Sequence, residues 1–250
     1  YAVGAVSHSL LGGVGAALFL SAKYSLPWLT PWLGGLAAAI LVAVFITLGT
    51  ARWRFRTDTV LSAVWALGMA IGISFVTAMP GYPPDLNSYL FGSILIVSPQ
   101  DLWMTALLDA FVLLLAILWH QRFVALAFHS EILTLRGIST TWVQLALQLM
   151  IAVTVVILSQ LVGIILCMAL LILPVAAAAT LSRRIPVIMA LAGAFCFGCC
   201  FLGVGLSYDT LPGNILLSPG ATIVELAGIL YLGTGGGRML ANKLRRTRNS

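Results

Sequence analysis

FVALAFHSEILTLRGIS (123–139) followed by TTWVQLALQLMIAVTVVILSQLVGIILCMALLILPVAAAATLSRR (140–184) is the stretch on which the fold turns. Its first part is a mixed-charge polar loop. Its second is an apolar run from 142 to 181, broken only by Gln144, Gln148, Ser159, Gln160 and a few small residues. One membrane span needs about 20 apolar residues, so the run is too long for one span and right for two, joined tightly at Ser159-Gln160. The second span ends with Pro174, four consecutive alanines and the pair Arg183-Arg184. A water-facing loop thus leads into a lipid-buried hairpin.

The rest of the 250-residue chain has the same character: 61% hydrophobic and only 8% charged, with a mean hydropathy of +1.08. A soluble domain of this size cannot hide so much apolar surface, so the solvent is lipid. In lipid every backbone N–H and C=O must be paired internally. Long unbroken runs fit helices rather than the short alternating strands of a barrel. The expected fold is all-α, a polytopic transmembrane helical bundle forming a single domain over 1–250. Hydropathy places about eight spans, at 9–20, 31–49, 60–79, 102–119, 142–158, 161–181, 186–206 and 221–233. A further apolar stretch, 90–97, is too short to cross.

Alternating these spans across the membrane puts 12 of the 13 basic residues on one side, with Lys23 alone on the other. That asymmetry marks the basic side as cytoplasmic and predicts a cytoplasmic C-terminus. The basic tail 239–250 is then expected at anionic lipid headgroups, and the net charge of +6 calls for no nucleic acid. The opposite face carries Pro/Gly-rich loops with Asp85, Asp101 and Asp209, a negative surface suited to cations or a basic partner.

Several chemistries are excluded. Neither Lys23 nor Lys243 follows a glycine-rich loop of the spacing a phosphate-binding loop requires, so any ATP-driven function borrows its ATPase from another chain. HExxH, GxSxG and paired CxxC motifs are absent. Cys167, Cys196, Cys199 and Cys200 all fall inside apolar spans, where cysteine behaves as a small hydrophobe and builds no secreted disulfide framework.

Some polar residues stand out against the apolar background. His8 sits near the start of a span; imidazole suits zinc, manganese and iron, and a hydrogen-bonded structural role is the alternative. Asp58 opens a span and is read first as a helix N-terminal carboxylate. Asp109 and Glu225 lie within spans, where a charge is costly and faces a bundle interior or a cavity, either as a weak oxygen ligand or hydrogen-bonded to a neighbour. His120 reads as an interfacial residue. Gly163 and Pro174 are architectural: glycine permits close packing, and proline removes a helical hydrogen bond and bends the span.

Taken together, Ser7-His8, TDTVLSAVWALG (57–68), SYLFGSILIVSPQDL (88–102), AFHSEILTLRGIS (127–139) and LVGIILCMALLILPVAAAATLSRR (161–184) resemble the membrane permease subunit of bacterial ABC importers for zinc, manganese and iron. The resemblance runs from Tyr1 almost to Gly233. It implies a permease paired with a second copy or a paralogue in the bacterial cytoplasmic membrane. It implies two cytoplasmic ATPase subunits, an extracytoplasmic metal-binding protein, and a transported divalent metal (Zn, Mn or Fe) rather than a resident cofactor. The loop 126–137, with Phe128, His129, Glu131, Leu135, Arg136 and Gly137, corresponds to the family's coupling helix, which sits in a cleft of the ATPase. The bland alternative is a connecting helix whose Ile132, Leu133 and Leu135 pack on the protein's own underside. His8, Asp58, Asp109 and Glu225 become candidates for the metal pathway. Three features depart from the family's pattern. Gly4 stands where an acidic residue usually precedes the histidine by one helical turn, His129 replaces an acidic residue of the coupling loop, and the family's leading helix is expected before Tyr1. Rival readings are a permease for a metal chelate such as a siderophore or cobalamin, and an ion-coupled carrier that uses no ATP.

Overall fold

The computed structural model describes residues 2–26, 28–53, 55–79, 98–208 and 218–248, with the backbone alone at 100, 101, 104 and 239–248. Ten helices account for nearly all of it: α1 (Ala2–Tyr24), α2 (Pro31–Ala51), α3 (Thr57–Thr77), α4 (Pro99–Leu118), α5 (His120–Phe128), α6 (Ser130–Leu135), α7 (Thr140–Val162), α8 (Ile164–Leu181), α9 (Ile185–Tyr208) and α10 (Pro219–Arg248). No strand occurs among the described residues. All eight apolar runs fall in helices. Six of these are long and apolar enough to cross a membrane, and α4 with α5 forms a seventh candidate bent by 65°. The eighth run lies in α10, diluted by Glu225 and the Gly-rich segment 233–237. The stretch 90–97, most of the motif 88–102, and Asp85 and Asp209 lie outside the described residues.

The chain forms two compact units, the first holding α1 to α7 and the second α8 to α10. In the first, α1 packs against both α2 and α3. Glycine makes this possible. A Cβ on Gly12 would lie 2.9 Å from the Gly68 carbonyl oxygen and one on Gly15 2.7 Å from that of Gly72, while one on Gly13 would run into the Gly34 carbonyl. Without a hydrophobic drive between helices in lipid, such close backbone approach supplies the van der Waals contact that holds them. Around Ala5 the seam fills with Ile46, Val60, Leu61 and Val64, all buried. Farther along, the Gln144 amide of α7 donates to Thr50 Oγ1 of α2 at 2.7 Å.

In the second unit α8, α9 and α10 pack mutually around Leu166, Leu170, Cys199, Ile223 and Ala227. Gly203 of α9 lies directly against Ile223 of α10. The Arg238 guanidinium donates to the Thr180 carbonyl at 3.0 Å, placing a cation on the C-terminal end of α8, where the helix dipole favours it. Pro174 is buried within α8, which runs through it without a break.

The first span is longer than expected, Ala2–Tyr24 rather than 9–20, and three other boundaries differ as well. The break between the two long apolar helices lies at Gly163, not at Ser159-Gln160. Ser159 satisfies its hydroxyl on the Val156 carbonyl of its own helix (2.9 Å), so its polarity does not end α7. Gly163 has φ 84° and ψ 161°, a backbone region open essentially to glycine alone. Residues 123–128 are helix α5 rather than loop, because FVALAF contains no turn-forming residue. The basic tail continues α10 as helix to Arg248, since Leu, Ala, Lys and Arg are good helix formers and no Gly or Pro follows Gly237.

Candidate functional site

His8 lies in the second turn of α1, half-buried, with its imidazole stacked on the Trp65 indole of α3: ring centroids 4.6 Å apart, planes 20° from parallel. One helical turn earlier, Gly4 is buried, and a Cβ placed there would lie 2.7 Å from Cζ3 of the same indole. Trp65 therefore fills the space a side chain at position 4 would take. Next to His8, Ser7 is fully buried and its hydroxyl has no hydrogen-bond partner among the described residues. Ser9 by contrast donates to the Val6 carbonyl at 2.7 Å.

The acidic candidates stand in other surroundings. Asp58 occupies the first turn of α3, exposed, where its charge suits the helix N-terminus; the N-cap residue, Arg56, makes no side-chain cap. Asp109 is exposed near the middle of α4, and Glu225 is exposed in the second turn of α10. No three His, Cys, Asp or Glu side chains gather into a metal-holding group among the described residues. An apolar cleft of about 260 Å³ between α4 and α7, lined by Phe111, Leu115, Trp119, Leu149 and Met150 among others, offers a cation no donor atom. Its chemistry suits an acyl chain or an apolar side chain.

The loop that the sequence singled out has a definite form. The helical path bends at Trp119, whose backbone sits at φ −105°, ψ 8°. After α5 the chain breaks at His129, restarts as the short α6 with Glu131 in its first turn, and stops at Gly137. The stop is a Schellman motif: the Ile138 N–H reaches the Leu133 carbonyl (2.9 Å) and the Gly137 N–H that of Thr134 (3.0 Å), with Gly137 at φ +70°. Leu133 alone anchors α6, at 2% exposure. Phe128 is 66% exposed, Ile132 42% and Leu135 87%. Packing on the protein's own underside thus holds for Leu133 and fails for Ile132 and Leu135.

Two pairings escaped the sequence reading. Trp65 lies in the quoted stretch TDTVLSAVWALG, yet nothing in it indicates a histidine partner on another helix. Gln144 was noticed only as an interruption of an apolar run, though an amide inside a span needs a partner and so points to one.

These features define a class: a multi-pass, all-helical membrane protein with an exposed apolar helix presented between two of its spans. A model of the ABC 3 transport family matches residues 1–235. A probable metal transport system membrane protein of Chlamydia trachomatis is 38% identical over 205 residues, covering 82% of this chain and 70% of the relative. The manganese transport system membrane protein MntC of Halalkalibacterium halodurans is 31% identical over 225 residues, covering 89% of this chain and 75% of the relative. Among solved structures, PsaBC from Streptococcus pneumoniae in complex with Fab superposes with a TM-score of 0.71 at 23% identity, covering 93% of this chain and 84% of that one, a likeness of fold. The chain belongs to the ABC 3 transport family, the permeases of metal-ion ABC transporters that its sequence resembles. It is a transport subunit, and ATP hydrolysis belongs to separate subunits.

Proposed function

We propose that this chain is the membrane permease of an ABC importer that brings a divalent metal ion, manganese before zinc or iron, into the bacterial cytoplasm. The observation that carries the coupling half of this reading is α6, with Leu133 buried beneath it and Leu135 and Phe128 presented outward. Exposed apolar side chains at the end of α5 (Phe128) and on the short, capped α6 (Leu135) fit a partner's cleft far better than open water. The preference for manganese rests on relatives named as manganese transport system membrane proteins, from Halalkalibacterium halodurans and Listeria monocytogenes.

In this reading a binding protein delivers the ion at the extracytoplasmic face, and a second permease copy completes the path. ATP-driven closure of two ATPase subunits presses on residues 126–137 and switches the bundle between outward- and inward-open states. The C-terminus and the basic end of α10 lie at the cytoplasmic surface. His8 is the pathway residue with metal-binding chemistry, while Asp58, Asp109 and Glu225 are secondary candidates.

The test is accumulation of manganese, zinc and iron in cells carrying the complete importer, compared with cells in which Glu131, Arg136 and Gly137 are replaced at matched expression. Selective manganese uptake that disappears in the variant is expected. Uptake unchanged by the replacement, or persisting without ATP, overturns the coupled importer in favour of an ion-driven carrier.

A further inference from the structure

We propose that Trp65 is a positioning residue for the permeating cation: it holds the His8 imidazole face-on, so that a metal ion meets a single, pre-oriented ring nitrogen. This rests on the reading of His8 as a pathway residue.

The geometry carries it. An unrestrained histidine on a helix samples several rotamers, and fixing one costs entropy at the moment a metal binds. The Trp65 stack, at 4.6 Å and 20°, fixes the ring plane beforehand. A metal bonds to imidazole through a nitrogen lone pair in the ring plane, so a neighbour stacked on the face leaves the ligating edge open. Metal ligation also draws electron density from the imidazole. The electron-rich indole face then attracts it more strongly, so the stack favours the ligated state over the empty one. Leu61 and Val64, on the helix that carries Trp65, pack with Ala5 and Ile46 in the apolar seam of α1, α2 and α3, which fixes that helix against α1.

Gly4 belongs to the same device. Positions 4 and 8 lie on one face of α1. Because the indole occupies the place of a position-4 side chain, α1 offers one ligand here and no chelating pair. One neutral nitrogen holds a divalent ion briefly, which suits passage rather than storage.

The test uses the purified full-length permease in nanodiscs, titrated with Mn²⁺ and with Co²⁺, following indole fluorescence. Wild type is expected to show a saturable quench that is lost in W65F, where the reporting ring is gone, and in H8A, where the ion is not held. G4A keeps both rings but pushes a Cβ against the indole. Loss of the stack is expected to weaken the ion's apparent affinity in G4A measurably, by at most about tenfold, the full strength of such a pair being the ceiling. Quenching reports only that the ion lies near an indole; a merely structural tryptophan would leave the affinity of G4A unchanged. Manganese uptake by cells expressing each variant separates the two levels of the argument. Uptake unaffected by H8A sinks the pathway reading of His8 and the proposal with it. Uptake lost in H8A, with G4A binding the ions as tightly as wild type does, overturns the role of Trp65 and leaves His8 standing. Size-exclusion profiles matched to wild type make each result a statement about the site rather than about folding.

Discussion

Leu135→Ala separates a helix built for a partner from one that packs on its own protein. The side chain is 87% exposed, so its truncation removes almost no contact within the chain. Burying a leucine fully is worth roughly 1.5–3 kcal/mol. Alanine keeps one of the four side-chain carbons, so the truncation forfeits about 1–2 kcal/mol if an ATPase subunit covers residue 135. That is between about fivefold and thirtyfold in affinity. Leu133, two residues earlier on the same short helix, is only 2% exposed. Leu133→Ala should instead cost the permease itself about 2–5 kcal/mol, the range for a truncated core leucine. The assay is paired: thermal unfolding of each variant in nanodiscs, and binding of the ATPase subunit to the immobilised permease. Leu135→Ala is expected to unfold like wild type and bind weakly, whereas Leu133→Ala unfolds early. An unchanged ATPase affinity for Leu135→Ala would refute the docking role. A stability loss in Leu135→Ala as large as that in Leu133→Ala would show that α6 is a connecting helix.

Gly163→Ala forces a Cβ onto a backbone at φ 84°, ψ 161° and should cost about 1–3 kcal/mol, read as an earlier thermal transition. Gly137→Ala meets open space but a φ of +70°; a penalty of about 1 kcal/mol is expected, with faster amide exchange at Ile138 as the Schellman bonds loosen. Gly13→Val drives a branched side chain into the Gly34 carbonyl, and the yield of folded protein should fall sharply while Gly193→Val, which faces open space, is tolerated. A fluorescent reporter fused after Ser250 should glow and a phosphatase fused there should be inactive, as a cytoplasmic C-terminus requires.

The spans were legible because lipid imposes one rule on every one of them: a long apolar run must be a helix. Their ends were less so. Ser159 and Gln160 looked like a turn because polar residues usually leave the bilayer, yet a hydroxyl can spend itself on its own helix, as Ser159 does at 2.9 Å. The residue that does break the chain, Gly163, is marked by backbone conformation, which composition does not reveal. Of the candidate site, His8 and the loop 126–137 could be singled out from residue type and resemblance. The indole over the imidazole could not, since it depends on the register in which α3 lies along α1. That register is set by Gly12, Gly15, Gly68 and Gly72, residues whose message is only that something comes close.

The bend at Trp119 gives α5 the character of a crank. Nine residues at 1.5 Å each make an arm of about 13 Å. Displacing its far end at Phe128 by ~2 Å rotates the arm by about 9° around the joint. Side chains beside the joint need barely shift, but the direction in which α4 receives the thrust changes by that whole angle. If the loop is pressed as proposed, a small stroke there becomes torque on a span, and the gearing is set by where the helix breaks.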